Sequence, residues 1–392
     1  MNREEFIFLQ TPAARRTIEQ YIGEDPVSVA LKVRNPALAT QIKMLAKSAR
    51  KLPSYHAARC IIPTVSYEQS SSEAAALSKD FPGGELAIDL TCGLGVDSLA
   101  LSRRYGKVIS IEKDPLRADI ARYNFGLLGA SNIEVVCTGA EEFCAGYTGA
   151  KADLIYIDPA RRDSAGKNVY SLTESSPNVL ELLDRMREIS VKQAIKLSPL
   201  FDVQEGFRLF GEQASVEVVS SGGECKEVVV RLGFDAGKVI NTVVGADGVN
   251  RYIFGMRDIG RQGATREVSA VDPAYILVPD VVFYKSRTVD ALLESLDTYA
   301  SLAGGYISSQ VIIPDFPGKT YRIEEVHPYR PKELIKLLKQ RAVRQADIQS
   351  RTQDYSAVRI AEALKIRIGG SQQLFFAEYA GELSVFFVNR IG

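Results

Sequence analysis

The stretch Glu85-Leu-Ala-Ile-Asp89-Leu-Thr-Cys-Gly93-Leu-Gly95-Val-Asp97-Ser-Leu-Ala100 constrains the fold of this chain more than any other. Leu86, Ala87 and Ile88 run without polar alternation, as in a parallel strand covered on both faces. Residues 92–95 read as a turn in which two glycines let backbone approach a ligand where side chains would clash. A helix is expected from Asp97. The next strand, 107–112, ends in Glu112, seventeen positions after Gly95, and an acid at that strand tip is placed to hold ribose hydroxyls. Strand, turn, helix, strand and acid in this order predict a nucleoside-containing cofactor. The competing reading is a tight turn with no ligand.

The alternation continues. Strands are expected at 86–90, 107–111, 133–137, 153–157, 192–197, 215–219 and 227–232, with helices at 97–104, 115–127 and 176–189. Strands alternating with helices predict a parallel sheet with crossovers, an α/β fold. The last two strands flank Ser220-Ser-Gly-Gly223 closely enough for a hairpin, which puts an antiparallel strand on the sheet.

At 392 residues the chain should hold two or more domains. Residues 1–80 read as a helical domain, with Thr11-Pro12 and Ser70 to Glu73 as capping signals and a basic face of Lys43, Lys47, Arg50 and Lys51. Residues 81–237 form the α/β unit. Residues 238–271 read as an appended β-hairpin around Ala246-Asp247-Gly248. Residues 272–316 read as a small α+β segment with a helix at 289–302, a strand at 310–313 and a linker at 314–318. Residues 317–392 form a last module with strands at 320–326, 374–379 and 383–389 and helices at 332–341 and 357–364. No apolar run is long enough to span a bilayer, and the first residues lack a signal-peptide pattern. Five cysteines without a C-x-x-C spacing fit a reducing cytoplasm, and with two histidines no metal site is expected. The net charge of zero hides an asymmetry: residues 1–80 carry +3, 318–392 carry +5 and the middle carries −8. Basic flanks suit a polyanionic partner, or they are solvated helix faces.

The chemistry-bearing residues lie on the expected strand tips. Asp89 anchors the turn or reaches the cofactor. Asp97 contacts the cofactor or caps the helix. Ser98 stands where a dinucleotide turn has its third glycine, so close phosphate approach is less supported and a sulfonium nucleoside, S-adenosyl-L-methionine, is favoured over NAD. Asp158-Pro159 follows the fourth strand, where its carboxylate and a freed carbonyl can accept hydrogen bonds from an amine and orient it for attack on a methyl group. Arg161 and Arg162 can hold phosphates, or form a surface pair after an Asx turn. Lys196-Leu-Ser-Pro199 and Gly222-Gly-Glu-Cys-Lys-Glu227 shape a substrate pocket or are turn chemistry. Cys225 has no nearby histidine, so it is not expected to act as a thiolate nucleophile.

These residues resemble the class I S-adenosylmethionine-dependent methyltransferases. Asp89-x-x-Cys92-Gly93-x-Gly95-x-Asp97 looks like the first motif of that family, Glu112 like its second, and Asp158-Pro159-Ala160-Arg161 like a variant of the fourth, used by amino-methyltransferases. With Glu68-Gln-Ser-Ser-Ser-Glu73, Lys196-Leu-Ser-Pro199, Gly223-Glu-Cys-Lys-Glu227 and His327-Pro-Tyr-Arg-Pro-Lys332, the whole chain is similar to bacterial methyltransferases carrying a THUMP-like domain. The resemblance implies a seven-strand Rossmann-like sheet, a ferredoxin-like segment at 272–316 and a THUMP-like domain at 317–392. It implies methyl transfer to a base nitrogen of structured RNA, tRNA or rRNA. It implies a cofactor set of Asp89, Cys92, Gly93, Gly95, Asp97, Glu112, Lys113, Glu141 and Asp158, with Arg161, Arg162, Lys196 and Lys332 toward substrate. Glycine stands where the family often has an acid for adenine, with Glu141 nearby. Arg161 replaces the aromatic residue of the fourth motif, which leaves Tyr156 or Tyr170 to stack on a flipped base. The alternatives are a methyltransferase acting on protein or a small molecule, and a non-catalytic RNA-binding protein.

Overall fold

The computed structural model describes residues 1–160, 172, 175–261, 273–296, 300–302, 306–351 and 354–391. It divides into two compact units, Met1–Met256 and Arg257–Gly392.

The first unit opens with seven helices: α1 (Arg3–Gln10), α2 (Pro12–Tyr21), α3 (Pro26–Val33), α4 (Pro36–Lys51), α5 (Pro53–Ala57), α6 (Thr64–Gln69) and α7 (Glu73–Ser78). One device starts three of them. Thr11, Asp25 and Asn35 each accept a backbone N–H from the first turn, and proline follows at the first helical position. The Ser70-to-Glu73 capping arrangement is not what forms. Ser72 caps α7, and Glu73 turns away to accept from the amide and hydroxyl of Ser54.

These helices share one hydrophobic core with the α/β elements: Ile18, Ile42, Leu45 and Leu52 pack with Leu94, Val96, Ile120 and Phe125. The segment between α5 and α6 is held from both sides. Gln41 of α4 bonds the Cys60 carbonyl and the Ile62 amide, and Asn124 bonds both backbone groups of Ile61.

Strands β1 (Gly84–Asp89), β2 (Tyr105–Ile111), β3 (Ile133–Val136), β4 (Leu154–Ile157), β5 (Gln193–Leu197), β6 (Ala214–Ser221), β7 (Glu224–Leu232), β8 (Lys238–Gly245) and β9 (Gly248–Gly255) form a nine-stranded sheet in the order β3-β2-β1-β4-β5-β7-β6-β8-β9. Helices α8 (Val96–Ser102), α9 (Pro115–Leu127), α10 (Ala140–Gly146), α11 (Val179–Ile189) and α12 (Val203–Phe210) make the crossovers. The first five strands are parallel. The β6–β7 hairpin turns at Gly222 and Gly223, both at positive φ, and inserts β7 antiparallel between β5 and β6. The hairpin expected as an appendage at 238–271 is instead continuous with the sheet, because β8 pairs parallel with β6. Residues 262–271 of that stretch lie outside the described residues.

The second unit is built on one seven-stranded sheet, β11-β12-β10-β13-β16-β15-β14, formed by β10 (Tyr275–Pro279), β11 (Ala300–Leu302), β12 (Tyr306–Ser309), β13 (Gly318–Pro328), β14 (Gln345–Ser350), β15 (Arg367–Tyr379) and β16 (Glu382–Ile391). The boundary expected at 316/317 therefore runs through a sheet: β10 and β13 pair from Pro279↔Gly318 onward. Four short or medium helices, α13 (Val281–Lys285), α14 (Val289–Glu294), α15 (Pro331–Gln340) and α16 (Ala357–Leu364), complete it.

Period-two alternation along β15 separates two cores. Leu374 and Phe376 pack with Leu334, Leu338, Ile360 and Leu364 of the helices, while Phe375 and Ala377 pack with Ile276, Tyr306, Tyr321 and Phe386. The helix expected over 289–302 stops at Glu294, and Ala300–Leu302 joins β12 instead. The strand expected at 310–313 lies earlier, at β12, whose register is set by pairing with β10; Val311 and Ile312 are half exposed. Strand β14, which pairs parallel with β15, had no strong sequence signal.

Candidate active site

The turn after β1 is built around a buried acid. Asp89 is fully buried; one oxygen accepts from the Thr91 amide at 3.0 Å, the other from the Ser98 hydroxyl at 2.5 Å, and Ser110 donates in turn to Ser98 at 2.6 Å. Burial pushes the Asp89 carboxyl up to about 7, against the lowering pull of Ser98 and Thr91. Asp89 thus anchors the turn.

Gly93 and Gly95 sit at φ +55° and +88°. A Cβ on Gly95 would meet the Phe125 ring at 2.4 Å, whereas one on Gly93 would meet only the Thr91 carbonyl oxygen at 4.0 Å. The two glycines differ in role: Gly95 lets α9 pack close, and Gly93 fronts open space. Cys92 lies buried between them and β2, with its amide bonded to the Ile111 carbonyl and its thiol pushed far up by burial.

Glu112, at the tip of β2, accepts from the Gly93 amide at 3.0 Å and the Asp114 amide at 2.9 Å. The oxygen bonded to Gly93 retains a further lone pair, while Arg117 Nε lies 3.5 Å from the other. Lys113 is exposed and donates to the Ser176 hydroxyl at 3.3 Å; Glu141 is exposed in the first turn of α10.

Asp158 follows β4, beside the turn. Its amide donates to the Thr91 hydroxyl at 2.6 Å, and Thr91 in turn bonds Asp89. Lys196, near the end of β5, donates to Asp158 Oδ2 at 2.5 Å and to the Ser71 hydroxyl at 2.8 Å, and lies 3.6 Å from Asp97. Asp97 does not cap α8; Gly95 holds the cap position without a side-chain bond. The Asp97 carboxylate instead pairs with Lys79 at 2.6 Å and accepts from Ser71 at 2.9 Å. Lys79 also pairs with Glu227 of β7 at 2.8 Å and lies over the Tyr156 ring.

Burial opposes the charge of Lys79 and Lys196, but the carboxylates around them outweigh it and hold both ammoniums above the ordinary lysine range. Burial alone would raise Asp97; Lys79 and Lys196 reverse this and hold it below the usual carboxylate range. Glu227 is raised by its burial. Nearby, Lys51 at the end of α4 is pulled down to about 8, first by burial and then by Lys196 and Lys226.

Other expectations are corrected or fall outside. Tyr156 is 1% exposed and packs edge-on against Phe81, so it cannot stack on an incoming base. Lys196 is engaged by Asp158 and Ser71 and is not free to bind phosphate. Pro159 is buried. Arg161, Arg162 and Tyr170 lie outside the described residues. Lys332 is exposed in the first turn of α15 in the second unit. Sequence reasoning missed Thr91, Ser71 and Lys79. It singled out Lys196 and Glu227 without seeing that they pair through a network. The available signal was a charge inside strands covered on both faces, which requires a buried partner.

The family model described as THUMP domain-like matches residues 318–390. An uncharacterized S-adenosylmethionine-dependent methyltransferase of Mycobacterium tuberculosis is 31% identical over 144 residues, 37% of this chain and 37% of that protein. A tRNA/tmRNA (uracil-C(5))-methyltransferase of Actinobacillus pleuropneumoniae is 27% identical over 135 residues, 29% of this chain and 37% of its own. The chain thus spans little more than a third of the length of these curated relatives. The crystal structure of a candidate methyltransferase from Porphyromonas gingivalis superposes with a TM-score of 0.80 at 25% identity, covering 99% of this chain and 98% of that one. With the strand order and the turn already described, these likenesses support a class I S-adenosylmethionine-dependent methyltransferase fold for the first unit and a THUMP-like domain at residues 318–390.

Proposed function

We propose that the chain transfers a methyl group from S-adenosylmethionine to a base nitrogen in structured RNA, a tRNA or an rRNA. The observation that carries this reading is Asp158: a carboxylate at the tip of the strand beside the glycine turn, tied to that turn through Thr91, with Oδ2 fixed by Lys196 and no hydrogen bond to Oδ1 among the described residues.

The residues fit the cofactor. The open space above Gly93 admits it, and Glu112 at the β2 tip has a lone pair free for a ribose hydroxyl. When bound, S-adenosylmethionine supplies an electrophilic methyl group. Asp158 accepts a hydrogen bond from the acceptor N–H and aims the nitrogen, and such positioning can supply on the order of 7–11 kcal/mol. The exposed basic residues Lys43, Lys47 and Arg50 of α4 are suited to phosphates, as are the basic residues of the second unit. No described helix is long and apolar enough to cross a membrane, and an RNA acceptor implies action in the cytoplasm.

The relatives named for uracil C5 favour a second reading, methylation at carbon. A pyrimidine carbon needs covalent activation by a nucleophile, and Cys92, the cysteine beside the turn, is buried with its thiol held protonated. Nitrogen is therefore preferred.

The test is transfer of labelled methyl groups into total RNA, followed by digestion to nucleosides. Wild type labels RNA at a base nitrogen, Asp158→Ala loses the label, and Glu112→Ala weakens S-adenosylmethionine binding in calorimetry. A wild-type chain that fails to bind S-adenosylmethionine sinks the proposal.

A further inference from the structure

We propose that Lys196 is the positioning residue for Asp158, and that the buried network behind it presents that carboxylate to the acceptor side of the site. The inference rests on the methyltransferase reading and deepens it.

The network holds two ammoniums, Lys79 and Lys196, and three carboxylates, Asp97, Glu227 and Asp158. The side chains of Lys79, Glu227 and Lys196 are 2–3% exposed and that of Asp97 is 13% exposed, while Asp158 is 27% exposed. Only Asp158 opens appreciably to solvent, so it is the carboxylate presented there.

An ammonium has three donors. Lys196 donates to Ser71 and Asp158, and its ammonium lies 3.6 Å from the Asp97 carboxylate as an ion pair, so it has three partners from three parts of the chain. That tripod fixes the direction of the bond to Oδ2 and therefore the rotation of the carboxylate. Asp158 is held at its other end by Thr91. Backbone and carboxylate are both set before an acceptor arrives, and among the described residues no donor meets Oδ1, the oxygen proposed to receive an N–H.

The arrangement selects the acceptor. In the proposed transfer the N–C bond would form as the sulfonium S–C bond breaks, S-adenosylhomocysteine would leave, and the N–H proton would pass along its hydrogen bond to the Asp158 carboxylate and on to solvent, so the positive charge that builds on nitrogen meets a fixed carboxylate. A carbonyl or hydroxyl oxygen without an N–H nearby gains nothing from it. The acceptor is therefore a nitrogen that carries an N–H it can give up, an exocyclic amine or a ring N–H.

The experiment measures kcat and both KM values for wild type, Lys196→Met, Lys196→Arg, Asp158→Asn, Ser71→Ala and the Lys196→Met/Asp158→Asn double variant. The RNA, protein and small-molecule fractions of one extract are assayed in parallel, and kinetics follow on whichever fraction wild type labels. Lys196→Met is expected to lower kcat about 10–100-fold, as loss of an orienting partner does, with the KM for S-adenosylmethionine unchanged. Lys196→Arg does not rescue, because a planar fork cannot meet three partners arranged as a tripod. The double variant is no slower than the slower single, since both act through one carboxylate. Ser71→Ala, a milder change, lowers kcat several-fold and carries the test if Lys196→Met does not fold. Undiminished kcat in Lys196→Met, additive losses in the double variant, or an unfolded Lys196→Met together with wild-type kcat in Ser71→Ala overturns the role of Lys196. Label in protein or small molecules alone removes the RNA reading while the Lys196 test proceeds on that acceptor. Label in no fraction overturns both.

Discussion

Gly93→Ala and Gly95→Ala form a matched pair that separates ligand space from packing in the glycine turn. Both positions have positive φ, so any side chain adds about 1 kcal/mol of backbone strain. At Gly93 that is nearly the whole expected effect on stability, because the new methyl meets only Thr91 O at 4.0 Å. At Gly95 the methyl would lie 2.4 Å from Cζ and 2.7 Å from Cε1 of Phe125, a ring that is 3% exposed in the core shared with the N-terminal helices. Relieving that overlap requires the ring or α9 to move, and overpacking of this kind adds about 1–3 kcal/mol. Gly95→Ala should therefore cost about 2–4 kcal/mol and Gly93→Ala about 1 kcal/mol. Denaturant unfolding at constant slope measures both. Calorimetry should rank them the other way for S-adenosylmethionine, with Gly93→Ala losing affinity while remaining folded. A Phe125→Leu background should absorb much of the Gly95→Ala loss, since a smaller side chain leaves room for the methyl. Equal destabilisation by the two alanines, or strict additivity with Phe125→Leu, would refute the packing role of Gly95.

Two further outcomes follow from the buried charges. Asp89 titrates near 7 when folded and near the ordinary carboxylate value when unfolded, so the folded state holds an extra proton between those values and stability falls as pH rises through that window. Wild type should lose about 3 kcal/mol from this group between about pH 5 and about pH 8, and Asp89→Asn should flatten that part of the stability profile; equal pH slopes for the two would contradict the assignment. Lys79→Met leaves Asp97 and Glu227 without their shared cation and should cost about 3–5 kcal/mol by thermal or denaturant unfolding. A loss below about 1 kcal/mol would mean the network is already compensated by water.

The parallel core was legible because its strands are apolar on both faces and its turns carry glycine or proline, which local sequence reports directly. Helix α9 begins and ends where its Asp114-Pro115 start and apolar spacing put it. Glu112 and Asp158 stand at the strand tips where the sequence put them, and strand tips concentrate ligand chemistry in this kind of sheet. What stayed hidden depends on pairing between distant residues. Ala300–Leu302 reads as the end of a helix until β12 offers it a ladder. Val311-Ile312-Ile313 is apolar enough for a strand, yet β10 fixes its partner four residues earlier. Asp97 reads as a cofactor contact or a helix cap until Lys79 and Lys196 are brought to it from two other elements.

In isolation the stretch around Ser70–Ser72 reads as a helix cap, and those at Lys196–Pro199 and Gly222–Glu227 read as pocket or turn chemistry; in the structure they meet. Ser71 comes from the segment between α6 and α7, Lys196 from β5 and Glu227 from β7, with Lys79 joining Glu227 to Asp97. Stability alone does not explain such a cluster, because a buried ion network is seldom better than apolar side chains of the same volume. Its geometry has a direction: four members are nearly sealed and the fifth, Asp158, opens to solvent beside the glycine turn. Both Ser71 and Lys79 lie N-terminal to β1. In the proposed site the N-terminal helical segment thus has a part, since removing it would strip Lys196 and Asp97 of partners and free the Asp158 carboxylate to rotate.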